Sequence, residues 1–287
     1  MNFRSDLALE CREPLEQRQG LAVCEKDHGA YIITHLQVQN KEGARAIGKP
    51  VGNYITIELP PLGEYADVYG EGMERTAEEL RRLLPEDGTV LVVGLGNDSM
   101  TPDALGPRCC AQVLATRHIS GELAKSAGLG KLRPVTTLTP GVLGRTGIES
   151  GELIAAAVRS LRPAAVITVD ALAARSLQRL GCTVQIADTG IVPGSGVGNA
   201  RLEINRSTLG VPVLALGVPT VVDAATLVAE LTAPESNCAP PPESEQMMVT
   251  PREVDLLIER ASKLCAMAIN RALQPHVSVE EFLSLVS

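Results

Sequence analysis

VVGLGNDSMTPDALGP, Val92 to Pro107, is the stretch on which the fold is decided. Its apolar start belongs to a strand, TVLVVGLG, that begins at Thr89. Gly94-Leu95-Gly96 opens like a dinucleotide-binding turn. Asn97, Asp98 and Ser99 follow where a further glycine would complete that pattern. Thr101-Pro102 then predicts a helix, with Thr101 as N-cap and Pro102 at its first position, running through ALGPRCCAQVLATRH to His118. Asp103 is its second residue. Strand, glycine turn and helix in this order begin an α/β unit, and the question is whether the turn cradles a cofactor or presents an acid.

Outward from this stretch the same grammar continues. Strands are expected at Pro134–Leu138, Ala164–Asp170, Thr183–Asp188 and Val211–Pro219, with helices at Glu149–Leu161 and Val221–Leu231. Alternation of this kind implies right-handed crossovers and a mainly parallel central sheet covered on both faces, a three-layer α/β/α sandwich. Upstream, Gly20–Cys24, Ala30–Val38 and Asn53–Pro60 read as strands, the first two forming a hairpin across Asp27-His28-Gly29. Gly70–Leu84 reads as a helix stopped by Pro85-Glu86-Asp87-Gly88. Thr232–Thr250 carries Pro234, Pro240, Pro241 and Pro242 among Ser and Glu, and is expected to be a linker or a disordered loop. Pro251–Leu273 and Val277–Val286 read as C-terminal helices. The 287 residues are taken as one domain.

Composition narrows the function. Hydrophobic residues make up 45% and charged residues 21%, as in a globular protein. Aromatics are 2% and Trp is absent, so the core must be aliphatic, as buried parallel sheets often are. A net charge of −8 argues against a nucleic-acid binder. The seven cysteines include no C-x-x-C pair and the four histidines are scattered, which disfavours structural zinc and fits free thiols in a reducing compartment. The charged N-terminus is unlike a signal peptide, and no apolar run is long enough to cross a bilayer. The expected place is cytoplasmic, with no membrane partner.

In an open α/β sheet the working surface is the carboxyl edge of the strands. Three expected strands deliver acids there: Asp103 through the glycine turn, Asp170 at the end of AAVITVD, and Asp188 at the end of TVQIAD. Paired carboxylates are a hydrolytic device, because like charges at short range cannot both ionise and one is held protonated. Each acid also has a plain structural reading. Asp103 would favour the helix dipole, Asp170 would cap a following helix, and Asp188 would anchor a turn. No G-x-S-x-G elbow occurs, and the histidines fall outside these motifs, so neither a serine nucleophile nor a metal is expected. PGVLGRTGIESGE and DTGIVPGSGVGNARLEI are long glycine-rich loops that permit close approach of a bound chain. Gly141, Gly144, Gly147, Gly190, Gly194 and Gly196 are therefore candidate substrate contacts. A phosphate cradle lacks G-K-[ST] and a complete G-x-G-x-x-G; a nucleotide-dependent oxidoreductase built on Gly94-Leu95-Gly96 is the rival reading, and a non-catalytic binding module the other.

RSDLALE, GKPVGNYITIELP, VVGLGNDSMTPDALGP, TPGVLGRTGIESGE, VDALAARSLQRLGCTVQIADTGIVPGSGVGN and LGVPVLALGVPTVVDA together resemble the germination protease family of endospore-forming bacteria, across Arg4 to Ala225. The resemblance implies an atypical aspartic endopeptidase with a fold like that of hydrogenase maturation proteases. It implies no cofactor, and small acid-soluble spore proteins as substrate in the forespore and spore core. The catalytic pair would be Asp103 and Asp170. The family's inactive tetrameric precursor cuts itself within an R-[ST]-D-L-A segment, which maps to Asp6-Leu7. Residues 1–6 are then expected to be a short propeptide remnant, and the assembly a homotetramer.

Overall fold

A computed structural model describes residues 5–13, 19–64, 67–119, 121–126, 131–194, 201–231 and 247–286. Among the described residues nine strands form one sheet: β1 (Leu21–Asp27), β2 (Ile32–Val38), β3 (Gly52–Glu58), β4 (Val90–Gly94), β5 (Val135–Leu138), β6 (Ala165–Ala174), β7 (Thr183–Ala187), β8 (Val213–Asp223) and β9 (Met248–Val249). Their order is β1-β2-β3-β7-β8-β6-β4-β5, with β9 alongside β8. The α-helices are α1 (Ala8–Arg12), α2 (Lys41–Ile47), α3 (Glu71–Leu83), α4 (Leu105–Cys110), α5 (Gly121–Ser126), α6 (Leu143–Thr146), α7 (Ser150–Leu161), α8 (Arg206–Leu209), α9 (Ala224–Leu231), α10 (Val254–Leu273) and α11 (Val279–Val286).

The α/β architecture follows the sequence, and the sheet is mixed. β8, β6, β4 and β5 run parallel, as the alternating pattern predicts. β1, β2, β3 and β7 are antiparallel to their neighbours, and β7 also meets β8 antiparallel. The N-terminal hairpin turns at His28–Tyr31, where His28 N–H donates to Tyr31 O, and it is continuous with the main sheet through the β3–β7 pairing. β6 and β7 are joined by Arg175–Cys182, too short for the crossover a parallel partner needs, so β7 reverses.

The helix predicted from Thr101 to His118 is shorter and starts differently. Thr101–Asp103 form a 3-10 turn, Thr101 makes no capping bond, and α4 ends at Cys110. Thr116 and Arg117 both donate main-chain N–H groups to Val135 O, which pulls the following residues against β5 instead of continuing the helix. Met248–Val249, inside the expected linker, pair as a strand with Val222 and Asp223 of β8. Residues 232–246 of that expected linker lie outside the described residues.

One face of the sheet is covered by α3, α4 and α10, whose apolar side chains meet β3, β4, β6, β7 and β8 in the largest cluster of buried residues. α10 is buried along most of its length. α7 covers Leu91, Val93 and Val166 on the other face. Buried aliphatic area of this kind contributes about 25 cal/mol per Å². The central strand β6 is thereby packed on both faces, and the candidate acids are mounted on it and beside it.

Candidate active site

Gly94 ends β4, and the chain turns at Leu95-Gly96 to pass back under α4. The glycines are demanded by the chain itself. A Cβ on Gly94 would stand 2.2 Å from the carbonyl oxygen of Gly106, and one on Gly96, whose φ is +109, would stand 2.0 Å from that of Asp103. Gly106 reciprocates: its Cβ would lie 2.2 Å from Leu95 O and 2.5 Å from Val169 O. The turn that resembles a dinucleotide cradle is filled by the Asp103–Gly106 backbone.

That close packing sets Asp103. Its carboxylate accepts the Asn97 main-chain N–H at 2.8 Å, and its own N–H donates to Met100 O at 2.8 Å. Thr220 of β8 donates its hydroxyl to Pro102 O at 2.8 Å, tying the 3-10 turn across the sheet end. Burial raises the Asp103 pKa above the ordinary carboxylate value, and the Asn97 bond partly offsets the rise.

Asp170 is placed differently from the expectation. The strand does not end on it, and it caps no helix; the 3-10 turn that follows, Leu177–Arg179, is capped by Ser176. β6 continues to Ala174 because β8 runs alongside to Asp223, so Asp170 lies within the strand, opposite Gly217. A Cβ on Gly217 would stand 2.7 Å from Asp170 O. The Asp170 carboxylate is buried and accepts the Ala171 N–H at 2.9 Å. Burial, then the charge of Asp103, then that of Asp6 push its pKa well up, and the Ala171 bond opposes them.

Asp103 and Asp170 line the same cavity, of about 590 Å³, together with Asp6, Asn97, Met100 and Gly194. Asp188 is not part of it. Antiparallel β7 leads away from Asp170, its last residue Ala187 pairing with Ala215 of β8, and Asp188 accepts the main-chain and side-chain N–H groups of Asn53 at 2.8 and 2.6 Å, the anchoring role read as its structural alternative. Gly144 lines the acid cavity. Gly141 lines a neighbouring one with Arg108 and Arg145. Gly190 faces a third and approaches Ile204 O so closely that its Cβ would stand 2.1 Å away, a structural demand. Gly147 caps α6 in the left-handed region. Gly196 lies outside the described residues. Among the described residues, no group of three or more His, Cys, Asp or Glu is placed to hold a metal ion.

Residues 5–10 run beside the site. Leu7 is buried among Leu172, Ala174 and Val222. Buried Glu10 accepts the main-chain N–H groups of Arg175 and Ser176 at 2.6 and 2.9 Å. Sequence reasoning missed Asn97 and Thr220 as positioning groups and Asp6 and Glu149 as further acids at the cavity. Neither positioning group had a signal: Asn97 acts through its main-chain N–H, which residue type does not mark, and Thr220 through a bond to a residue far away in the chain.

The family model described as germination protease matches residues 4–233. This chain belongs to the germination protease family. The germination protease of Clostridium perfringens strain ATCC 13124 is 41% identical, with 98% of each chain covered. That of Caldanaerobacter subterraneus subsp. tengcongensis is 42% identical over 100% of this chain and 98% of its own. That of Priestia megaterium is 36% identical over 98% and 96%. Among solved structures, the [NiFe] hydrogenase maturation protease HycI of Thermococcus kodakarensis KOD1 is 17% identical, with a TM-score of 0.37, over 67% of this chain and 98% of that one. The family membership makes the chain a spore germination protease in class: a hydrolase acting on protein.

Proposed function

We propose that this protease is an endopeptidase that degrades small acid-soluble spore proteins during germination, using Asp103 and Asp170 to activate water. The supporting observation is the shared cavity: two carboxylates from separate elements line it, and the charge of one raises the pKa of the other. One proton held between such a pair leaves one member ionised, able to draw a proton from water. The other, protonated, polarises the scissile carbonyl and then supplies a proton to the departing amine. Gly144 and Gly194 border this cavity and would let a substrate backbone approach.

The reading extends to self-processing of a zymogen at Asp6-Leu7, supported by Asp6 lying at the acid cavity, and to a homotetramer in the forespore and spore core, which rests on the resemblance alone. The test is incubation with a small acid-soluble spore protein and mass analysis of the fragments. Wild type should cut internally. Asp103→Asn and Asp170→Asn should each lose about 10²–10⁴-fold in rate, the range of general acid–base catalysis. Undiminished cutting by both variants would sink the aspartate reading. Capture without cutting by wild type would favour a binding module.

A further inference from the structure

β4 stops at Gly94, opposite Val169, and Leu95 N–H, just past the end of β4, donates to Val169 O at 2.8 Å. β6 continues past this point, so among the described residues its edge beyond Val169 has no strand beside it on the β4 side. Main-chain groups two residues apart on a strand face the same edge, which turns Ala171 and Ala173 toward the vacated side. Ala171 N–H is bonded to Asp170. Ala173 is bonded to the chain's own N-terminal segment: Asp6 N–H donates to Ala173 O at 2.9 Å, and Ala173 N–H donates to the Asp6 carboxylate at 2.9 Å.

The Asp6 carbonyl is gripped from the other side. Gln185 donates its amide N–H to Asp6 O at 3.0 Å, and Lys49 donates to the same oxygen at 3.2 Å and to Ser5 O at 3.1 Å. The other end of Gln185 accepts Ala8 N–H at 2.7 Å, which fixes the amide's orientation. Asp6 lines both the acid cavity and the adjoining cavity that contains Lys49 and Gln185. A piece of polypeptide thus lies between the candidate acids and two side chains, Lys49 and Gln185, that donate to its carbonyls.

We propose that the Ala173 edge of β6, with Lys49 and Gln185, is the main-chain-binding subsite for an extended polypeptide substrate, and that Ser5-Asp6 occupy it here as a tethered stand-in. Such strand addition gives affinity through backbone bonds and leaves side-chain choice to neighbouring pockets. The occupant is polypeptide because the bonds that Ala173, Lys49 and Gln185 make here go to peptide N–H groups, peptide carbonyls and the Asp6 carboxylate. Lys49 and Gln185 are then substrate-positioning residues. The inference deepens the peptidase reading by naming where that substrate would lie, and it can fail independently of it.

The probe is a fluorescein-labelled peptide of residues 1–12, MNFRSDLALECR, added to the full-length chain and followed by anisotropy. In wild type the tethered copy competes at the high effective concentration of an attached segment. Asp6→Ala removes that copy's bond to Ala173 N–H, and the peptide should bind this variant at least tenfold more tightly than wild type. Adding Lys49→Met should weaken binding about tenfold, the range of one bond to a charged donor; Lys49→Arg should restore most of it. Amide exchange at Ala173 should speed up in Asp6→Ala and slow again with peptide. With a spore protein as substrate, Lys49→Met in the Asp6→Ala background should raise KM, with little of the loss in kcat. Equal affinity for wild type, Asp6→Ala and the double variant would overturn the subsite, as would exchange at Ala173 that ignores the peptide. Loss of cutting in Asp103→Asn with these binding results absent would sink the subsite and leave the peptidase reading standing. Peptide binding as described without any cutting by wild type would do the reverse. Circular dichroism melts of each variant separate these outcomes from failure to fold.

Discussion

Asp170 is where a single residue's surroundings decide most. Its carboxyl is buried on a central strand, accepts one main-chain N–H and shares a cavity with Asp103, Asp6 and Glu149. An acid whose folded pKa lies above its unfolded value stabilises the fold fully at pH below the unfolded value. That contribution is lost as pH rises through the folded pKa. Asp170 and Asp103 both shift upward, so the fold should be less stable at neutral pH than near pH 4 on their account. Asp170→Asn should therefore raise Tm at pH 7 while lowering the cutting rate by about 10²–10⁴-fold. Relieving a buried, poorly compensated charge at about 1–2 kcal/mol, with about 2–4 °C per kcal/mol for a chain of this size, gives a rise of about 2–8 °C. The gain should shrink toward zero near pH 4, and calorimetry across that range checks it. The same shifts predict that kcat/KM falls on the alkaline side as the shared proton is lost, and a pH–rate profile in which that limb moves in Asp103→Asn would support the coupling.

At the scale of elements, the site depends on how closely the β4–α4 turn approaches the end of β6. Gly96 permits this through a positive φ and the absence of a side chain. Gly96→Ala should cost about 2–4 kcal/mol of stability, as strain and overpacking together. It should also lower kcat more than tenfold by moving Asp103 off its Asn97 bond. Urea unfolding and steady-state kinetics separate the two effects. Thr220→Val tests the other tie: it removes the bond to Pro102 O with little change in volume. Its expected signature is a kcat reduced about tenfold with Tm lowered by only a few degrees. The sequence signal was strongest for elements with one dominant local cause. α3 matched its predicted span within a residue at each end, because its apolar face and Pro85 stop are both local. The helix after Asp103 did not, because its shape is set by Val135 and Thr220, distant in the chain.

Across the whole molecule, α10 ties the covering layer to the loops behind the site. Buried Asn270 accepts Leu114 N–H at 2.9 Å and donates to Gln112 O at 3.1 Å. Gln274 both accepts from and donates to the Arg133 main chain, at 2.8 and 2.7 Å. Asn270→Ala would leave two main-chain groups in the interior without partners. It should destabilise by about 2–4 kcal/mol, or about 4–16 °C in Tm, with kcat at permissive temperature near wild type because α10 makes no contact with the acids' carboxyl groups through these bonds. Thermal denaturation followed by an assay at low temperature checks both halves.

By itself the sequence determined the α/β class, the aliphatic core, most strand and helix positions, and the identity of the two acids worth testing. Period, glycine turns and proline stops are local properties, and the peculiar motifs carried the resemblance. Only the tertiary structure decided that Asp188 leaves the site while Asp103 and Asp170 share it, since strand direction depends on which neighbour each strand pairs with. It alone revealed that the Gly-Leu-Gly turn is packed by the chain's own backbone. It alone brought Asp6, Lys49 and Gln185 together from three distant parts of the chain. Hydrogen bonds across so much sequence leave no periodic trace, because each partner satisfies its local pattern equally well without the other.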